Sequence, residues 1–166
     1  SYGTIITWVK FDSVTGGTQR HSIFSEGDSS NTSKWMVLRY RHASSVIQWS
    51  CNGSTANRTC EVTQTLSNNV WYQIAFVKNS NSTAQFYLNG VSAGTTSYYT
   101  PNTTEWFDNI SGNKWNWGSF QRGGFGAGYD PMYAKSGSLK VFVNTALSAS
   151  QILADYNYTK TCYGIS

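Results

Sequence analysis

The stretch from Trp71 to Gly90 constrains the fold more than any other part of the chain. Its apolar residues recur at every second position, which is the period of an antiparallel strand with one buried face. The residues that share a face are Tyr72, Ile74 and Phe76 in a first strand and Ala84, Phe86 and Leu88 in a second. Asn89 and Gly90 follow, and this pair suits a type I′ turn, whose two central residues need positive φ. The stretch therefore predicts antiparallel β-structure.

Comparable runs, separated by turns rich in Gly, Asn and Ser, recur along the chain, and no parallel βαβ alternation is visible. This spacing predicts two packed antiparallel sheets, an all-β jelly-roll sandwich. The predicted strands are 4–11, 20–25, 34–42, 45–51, 58–66, 71–78, 83–89, 91–97, 114–120 and 137–144.

One short C-terminal helix, 148–156, is also predicted. Ser148 and Gln151 have the spacing of a capping box, and Leu147 and Ile152 that of a hydrophobic staple. The residues expected to face the sheet are Ile152, Leu153 and Tyr156.

The residue order of four segments resembles the laminin G-like branch of the concanavalin A-like lectin/glucanase superfamily. The segments are 4–10, 23–28, 71–90 and 137–148. The resemblance runs from Thr4 to about Tyr156, and it implies one laminin G-like jelly-roll domain, 1–166, excised from or part of a larger extracellular protein. It does not decide function, because this fold hosts lectins, adhesion modules, glycoside hydrolases and polysaccharide lyases.

Composition fits an extracellular or secreted protein, or one on a cell or virion surface, because only 12% of the residues are charged and 16% are aromatic. No apolar run approaches the about 20 residues of a membrane span. The net charge of +4 either serves solubility or attracts the protein to acidic polysaccharide or an anionic cell surface. Nucleic acid is not an expected partner, since the basic residues are scattered and form no binding motif.

Cys51 and Cys60 flank a turn-rich loop, so paired flanking strands would bring their sulfurs together across a hairpin. This predicts a Cys51–Cys60 disulfide, with Cys162 left either free or bonded to a neighbouring domain or chain.

Seven Asn-x-Ser/Thr sequons are candidate glycosylation sites in loops, provided that the protein takes a secretory route; otherwise they are unused. They begin at Asn31, Asn52, Asn57, Asn81, Asn102, Asn109 and Asn157.

Aromatic and glycine residues crowd the segment 98–133, which departs from the family pattern. Sugar recognition needs an aromatic plane against the apolar face of the ring and polar groups that read its hydroxyls. Trp115 and Trp117 share a face in any strand, about 7 Å apart. The alternative is that these rings belong to the core. The predicted ligand-binding residues are Trp106, Trp115, Trp117, Arg122, Phe125, Tyr129 and Asp130, with Asn113 as a further polar candidate.

A second polar group lies at residues 39–42, where alternation sets Arg39 and Arg41 on one face and Tyr40 and His42 on the other. Arginine with Tyr or His resembles the residue set of polysaccharide lyases on this fold. Solvated side chains on an outer sheet explain the same residues. Glucanase chemistry is not favoured, because Glu26 and Asp28 lack the third acid of the family's strand motif.

No cofactor is expected. Calcium is common at the rim of laminin G-like domains, and Asp28, Asp108 and Asp130 are loop candidates, but they form no ligand series. Zinc is unsupported, since His21 and His42 are isolated in the sequence.

These patterns predict a non-catalytic extracellular module that recognises carbohydrate or glycoprotein glycans. One alternative is a structural subunit of a filament, capsid or surface assembly, as a homo-oligomer or beside neighbouring domains. The other is an enzyme, most plausibly a lyase acting on acidic cell-wall polysaccharide.

Overall fold

The computed structural model describes residues 2–13, 20–28, 31–52, 57–79, 83–99, 114–122, 125–129 and 132–166. Within them the chain forms short antiparallel strands and one α-helix. The strands are β1 (Gly3–Phe11), β2 (Arg20–Asp28), β3 (Asn31–Arg41), β4 (Val46–Asn52), β5 (Asn57–Thr63), β6 (Trp71–Lys78), β7 (Ala84–Leu88), β8 (Val91–Ser92), β9 (Ser97–Tyr98), β10 (Lys114–Trp117), β11 (Phe120–Arg122), β12 (Phe125–Tyr129) and β13 (Ala134–Val143), and the helix is α1 (Ala149–Thr159).

Two sheets make up the body of the fold. One has the strand order β13-β1-β6-β7-β8 and the other β10-β2-β3-β4-β5-β9, while β11 and β12 form a separate hairpin. The paired strands run antiparallel. The predicted two-sheet sandwich with a short C-terminal helix is therefore confirmed.

The core lies between the two sheets and takes one face of each. Trp49 of the six-stranded sheet stacks on Phe76 of the five-stranded sheet, with 5.2 Å between ring centroids, and Phe86 lies 5.1 Å from Phe76. The faces predicted from the alternation in β6 and β7 are those that pack in this core. The predicted turn is also confirmed, since Asn89 and Gly90 have φ of 52° and 81°.

Helix α1 covers the outer face of the five-stranded sheet. Ser148 caps it and accepts from the Gln151 amide, and the capping box is complete. Ile152 is buried and Tyr156 stacks on Trp8 at 5.7 Å, as predicted. The prediction that Leu153 faces the sheet is wrong. Its side chain is 41% exposed, because it lies about 100° further around the helix than Ile152.

The predicted Cys51–Cys60 disulfide is not formed. The β4–β5 hairpin exists, but its register sets Cys51 opposite Arg58 and Cys60 opposite Trp49. The two cysteines are thus diagonal neighbours on one face, whereas a bond across the hairpin needs directly opposed residues. Both side chains are buried in the core, and Cys162 is exposed.

Three strand predictions need correction. The strand predicted over 91–97 is only Val91–Ser92, and the one predicted over 58–66 ends at Thr63. The strand predicted over 114–120 breaks at Gly118, whose φ of 83° turns the chain before β11 begins.

The sequons were predicted to lie in loops, and four of them do not. Asn31, Asn52 and Asn57 are terminal residues of β3, β4 and β5, and Asn157 is exposed on α1. Those at Asn81, Asn102 and Asn109 lie outside the described residues.

Candidate functional site

The outer face of the six-stranded sheet carries a polar cluster at its centre. In an antiparallel pair, directly opposed residues share a face. The register sets Arg20 opposite Arg41, Arg39 opposite Gln48, and Gln48 opposite Glu61. Three neighbouring strands and the start of β2 thereby place their polar side chains on the side away from the core.

These side chains form a shallow groove of about 260 Å³, called here the arginine groove. The segment after β9 closes one side of it, where the Tyr99 amide donates to the Thr59 carbonyl at 3.0 Å. The lining residues are Arg20, Arg39, Arg41, Gln48, Thr59 and Tyr99.

A chain of hydrogen bonds fixes the floor of the arginine groove. Arg39 Nε donates to Gln48 Oε1 at 2.8 Å, and Gln48 Nε2 donates to Glu61 Oε2 at 2.6 Å. The Tyr99 hydroxyl donates to Glu61 Oε1, also at 2.6 Å. Gln48 and Glu61 are almost fully buried, so the groups that line the groove are held in place by partners beneath them.

The charge of the arginine groove is positive. Three arginines line it, and Glu61 is the acid beneath them, with Arg41 Nη1 3.8 Å from Glu61 Oε2. The hydrogen bond to Glu61 raises the pKa of Tyr99, which keeps its phenol protonated as a donor. Guanidinium groups bind carboxylates through paired hydrogen bonds, so the arrangement suits an anionic, planar group on a ligand.

The β11–β12 hairpin lies on the same outer face, beside the arginine groove. Phe120 packs edge-on against Trp35 at 5.2 Å, in a cluster with Val37, and Ser25 Oγ donates to the Ser119 carbonyl at 2.8 Å. Val37 and Arg39 are two residues apart on one face of β3, a separation of about 7 Å. Phe120, the first residue of the hairpin, therefore lies near the arginines.

The predicted ligand-binding residues of the segment 98–133 are divided by the structure. Arg122, Phe125 and Tyr129 belong to the β11–β12 hairpin, and their side chains are outside the described part of the chain. Trp106, Asn113 and Asp130 lie outside the described residues altogether.

Trp115 and Trp117 share a face of β10, as predicted, and they are 55% and 44% exposed. Their partners in β2 are Glu26 and Phe24, on the face that includes the core. The indole pair therefore stands on the opposite side of the sheet from the arginine groove, and the structure does not bring the two together.

In the run 39–42 only the arginines reach the groove. Tyr40 is buried in the core, where its hydroxyl accepts from the Leu66 amide at 3.4 Å, and His42 begins a 3₁₀ turn. The separation that alternation predicts is confirmed, and the arrangement does not set Tyr40 beside the arginines as a lyase would require.

Sequence reasoning missed most of the arginine groove. The missed residues are Arg20, Gln48, Thr59, Glu61 and Tyr99. A signal for three of them was present, because Gln48, Thr59 and Glu61 alternate with the apolar residues of β4 and β5. Their polar faces become informative only once those strands are placed beside β3.

No group of three His, Cys, Asp or Glu side chains suited to a metal ion occurs in the described part of the chain. Of the three calcium candidates, Asp28 is the last residue of β2, and Asp108 and Asp130 lie outside the described residues. Among the described helices, none has the length and apolar character needed to cross a membrane.

A family model of the concanavalin A-like lectin/glucanases superfamily matches residues 1–126, so the chain belongs to this superfamily. The resemblance on which the sequence interpretation relied is thereby confirmed. A search of curated protein sequences found no match.

Several solved structures share the fold at low sequence identity. The leech intramolecular trans-sialidase superposes with a TM-score of 0.74 at 20% identity over 93% of this chain, which spans only 23% of that enzyme's length. The CBM40 module of Ruminococcus gnavus IT-sialidase, bound to α2,3-sialyllactose, gives 0.73 at 17% identity over 93% of this chain and 82% of the module. The SAP-like pentraxin of Limulus polyphemus gives 0.62 at 18% identity over 92% and 68%.

Proposed function

We propose that this chain is a non-catalytic carbohydrate-recognition module that binds a glycan bearing a carboxylate in the arginine groove. The observation that carries the proposal is the alignment of three arginines over a hydrogen-bonded floor on one face of a sheet. A carboxylate docked there meets preorganised donors, which lowers the entropic cost of binding.

The groove also offers groups that suit sugar hydroxyls. Thr59 Oγ1 and Ser50 Oγ lie 2.9 Å apart on the same face, and the Tyr99 phenol is 66% exposed and can stack against a ring. Arg122, Phe125 and Tyr129, on the adjacent hairpin, remain proposed contacts at the hairpin side. The combination of guanidinium, hydroxyl and aromatic groups favours an acidic saccharide over a free inorganic anion.

The structural neighbours include a module that was solved with acidic sugars. The Ruminococcus gnavus module was solved with α2,3-sialyllactose and also with α2,6-sialyllactose, and both sugars carry a carboxylate. At 17% and 16% identity these likenesses bear on the fold alone, so the ligand class for this chain rests on its own arginines.

Catalysis is not part of the proposal. Tyr99 is the titratable hydroxyl of the arginine groove, and its hydrogen bond to Glu61 raises its pKa, so the phenol stays protonated and does not serve as a general base. We further propose an extracellular or surface location, since a glycan ligand is found there.

Calorimetry of the chain with 3′-sialyllactose, 6′-sialyllactose, a glucuronate-containing oligosaccharide and neutral lactose tests the proposal. We expect an acidic sugar to bind and lactose not to bind in the arginine groove. R39A and R41A should each lower the affinity for the acidic sugar by about tenfold or more. K135A removes an exposed cation of β13 and is the matched control. Equal binding by R39A, R41A and the unchanged chain would refute the site.

A further inference from the structure

The face opposite the arginine groove carries an exposed indole pair at its β10 edge. Trp115 and Trp117 lie on one side of the strand, and Trp115 meets Phe24 edge-on with 5.7 Å between ring centroids. Both indoles are about half exposed, so solvent reaches both side chains. Two rings at this spacing of about 7 Å form one apolar surface along the strand.

A buried carboxyl lies beneath this surface. Glu26 stands opposite Trp115 in the register and is 3% exposed. Trp115 donates a side-chain hydrogen bond to this carboxyl. The second oxygen, Oε2, has no hydrogen-bond partner among the described residues. A buried acceptor without a donor is unfavourable, and a ligand hydroxyl that reaches Oε2 between the indoles would supply the missing donor.

We infer that Trp115, Trp117 and Glu26 form a second glycan site, selective for neutral sugar chains. The indoles cover the apolar faces of the sugar rings, and Glu26 Oε2 accepts one hydroxyl. The class is neutral because a sugar carboxylate would be repelled by the Glu26 carboxylate. The inference rests on the proposed function only in taking carbohydrate as the kind of ligand. It does not depend on the arginine groove, since the two sites occupy opposite faces of the sheet.

The protonation of Glu26 gives this site a distinctive signature. Burial raises the pKa of Glu26 to about 7, and the hydrogen bond from Trp115 opposes that rise. The ionisable residues on the elements around it are Arg20, His21 and Asp28 on β2, Lys34, Arg39 and Arg41 on β3, Lys114 on β10 and Arg122 on β11. Arg20, Arg39 and Arg41 lie on the opposite face of the sheet, and His21 lies toward the other end of β2 on the face of Glu26. Lys34 is on the face of Met36, the residue opposite Glu26, whereas Lys114 pairs with Gly27 and β11 packs on the other side of the sheet.

Binding of a hydroxyl to Oε2 favours the ionised carboxyl, so it releases a proton when Glu26 is protonated beforehand. The affinity should therefore rise with pH through the pKa of Glu26. A hydrogen bond to a charged acceptor exceeds one to a neutral acceptor by about 1 kcal/mol, which corresponds to a change of about fivefold.

Calorimetry of the full chain with cellohexaose, laminarihexaose and maltohexaose, at about pH 5.5 and about pH 8.5, tests the inference. We expect at least one hexasaccharide to bind, about fivefold more tightly at the higher pH. W115A and W117A should abolish binding, and E26Q should remove its pH dependence. D12N, which changes an exposed acid at the end of β1, should keep that dependence.

Near-ultraviolet circular dichroism checks that each variant is folded. Failure of all three hexasaccharides at both pH values would overturn the inference, and so would unchanged binding in folded W115A and W117A. The double variant R39A/R41A should bind the hexasaccharide normally. If the unchanged chain binds a hexasaccharide but none of the acidic sugars, only the arginine groove is refuted. If it binds an acidic sugar but none of the hexasaccharides, only the indole site is refuted.

Discussion

Gln48 stands directly opposite Glu61 on the outer face of the six-stranded sheet, and its side-chain amide joins that carboxylate to Arg39. Gln48 Nε2 donates to Glu61 Oε2 and Gln48 Oε1 accepts from Arg39 Nε, so one buried side chain joins the half-buried arginine to the acid. The position of the guanidinium is thus set by hydrogen bonds in the floor of the arginine groove.

We expect Gln48→Leu to destabilise the fold by about 1–3 kcal/mol, because it leaves Glu61 with one donor fewer in a buried place. It should also weaken acidic-sugar binding, since Arg39 loses its anchor. Urea unfolding measures the first effect and calorimetry the second. Thr63→Val, at the exposed end of β5, should stay within about 0.5 kcal/mol of the unchanged chain. Full affinity in Gln48→Leu would show that Arg39 needs no positioning.

The buried carboxyl of Glu26 predicts a pH dependence of stability. Its pKa in the folded protein is about 7, above the ordinary value of 4.5, so the folded state binds the proton more tightly. The free energy of unfolding should therefore fall as pH rises from about 4.5 to about 7, by about 1–2 kcal/mol after allowance for solvent screening. Urea unfolding across this range should show the fall in the unchanged chain and not in E26Q. The same dependence of the free energy of unfolding on pH in both proteins would contradict the raised pKa of Glu26.

Gly137 is required where the C-terminal segment crosses β13. A Cβ there would lie 2.5 Å from Tyr163 Cε1 and 2.7 Å from Trp8 Cβ. Gly137→Ala should therefore cost about 1–3 kcal/mol, as other overpacked substitutions do. The double change Gly137→Ala/Tyr163→Ala removes the ring and should lose less stability than the two single losses added together. If the stability losses of the two single variants, measured by thermal unfolding, simply add up to that of the double variant, the Tyr163 ring moves aside at no cost.

The capping box of α1 should contribute measurably to stability. Ser148 Oγ accepts from the Gln151 amide at 3.3 Å, and Gln151 Oε1 accepts from the Ser148 amide at 2.8 Å. Ser148→Ala removes the first of these bonds and should cost about 1 kcal/mol. Asn157→Ala, on the exposed side of the same helix, is the matched control. Similar melting temperatures for both variants would argue that the helix is held by its packing alone.

The sequence predicts the sheets better than it predicts the site. The alternation in β6 and β7 and the Ser148–Gln151 spacing are local signals, so the core faces and the helix could be read directly. The arginine groove depends on register between β3, β4 and β5, which no local pattern specifies.

The same limit explains two corrections. Cys51 and Cys60 look paired by spacing, but a register two residues away sets them diagonally. The pattern predicts one strand through Trp117 and Phe120, but Gly118 turns the chain, and Phe120 begins a separate hairpin that packs on the outer face of the sheet.

An NMR titration of the ¹⁵N-labelled chain with 3′-sialyllactose tests the central claim most directly, because it locates the ligand. Binding in the arginine groove predicts shifts of backbone amides at Arg39, Arg41, Gln48, Thr59 and Tyr99, with little change at Trp115 and Trp117 and none of that size with lactose. Shifts confined to other parts of the chain, or equal shifts with lactose, would contradict it.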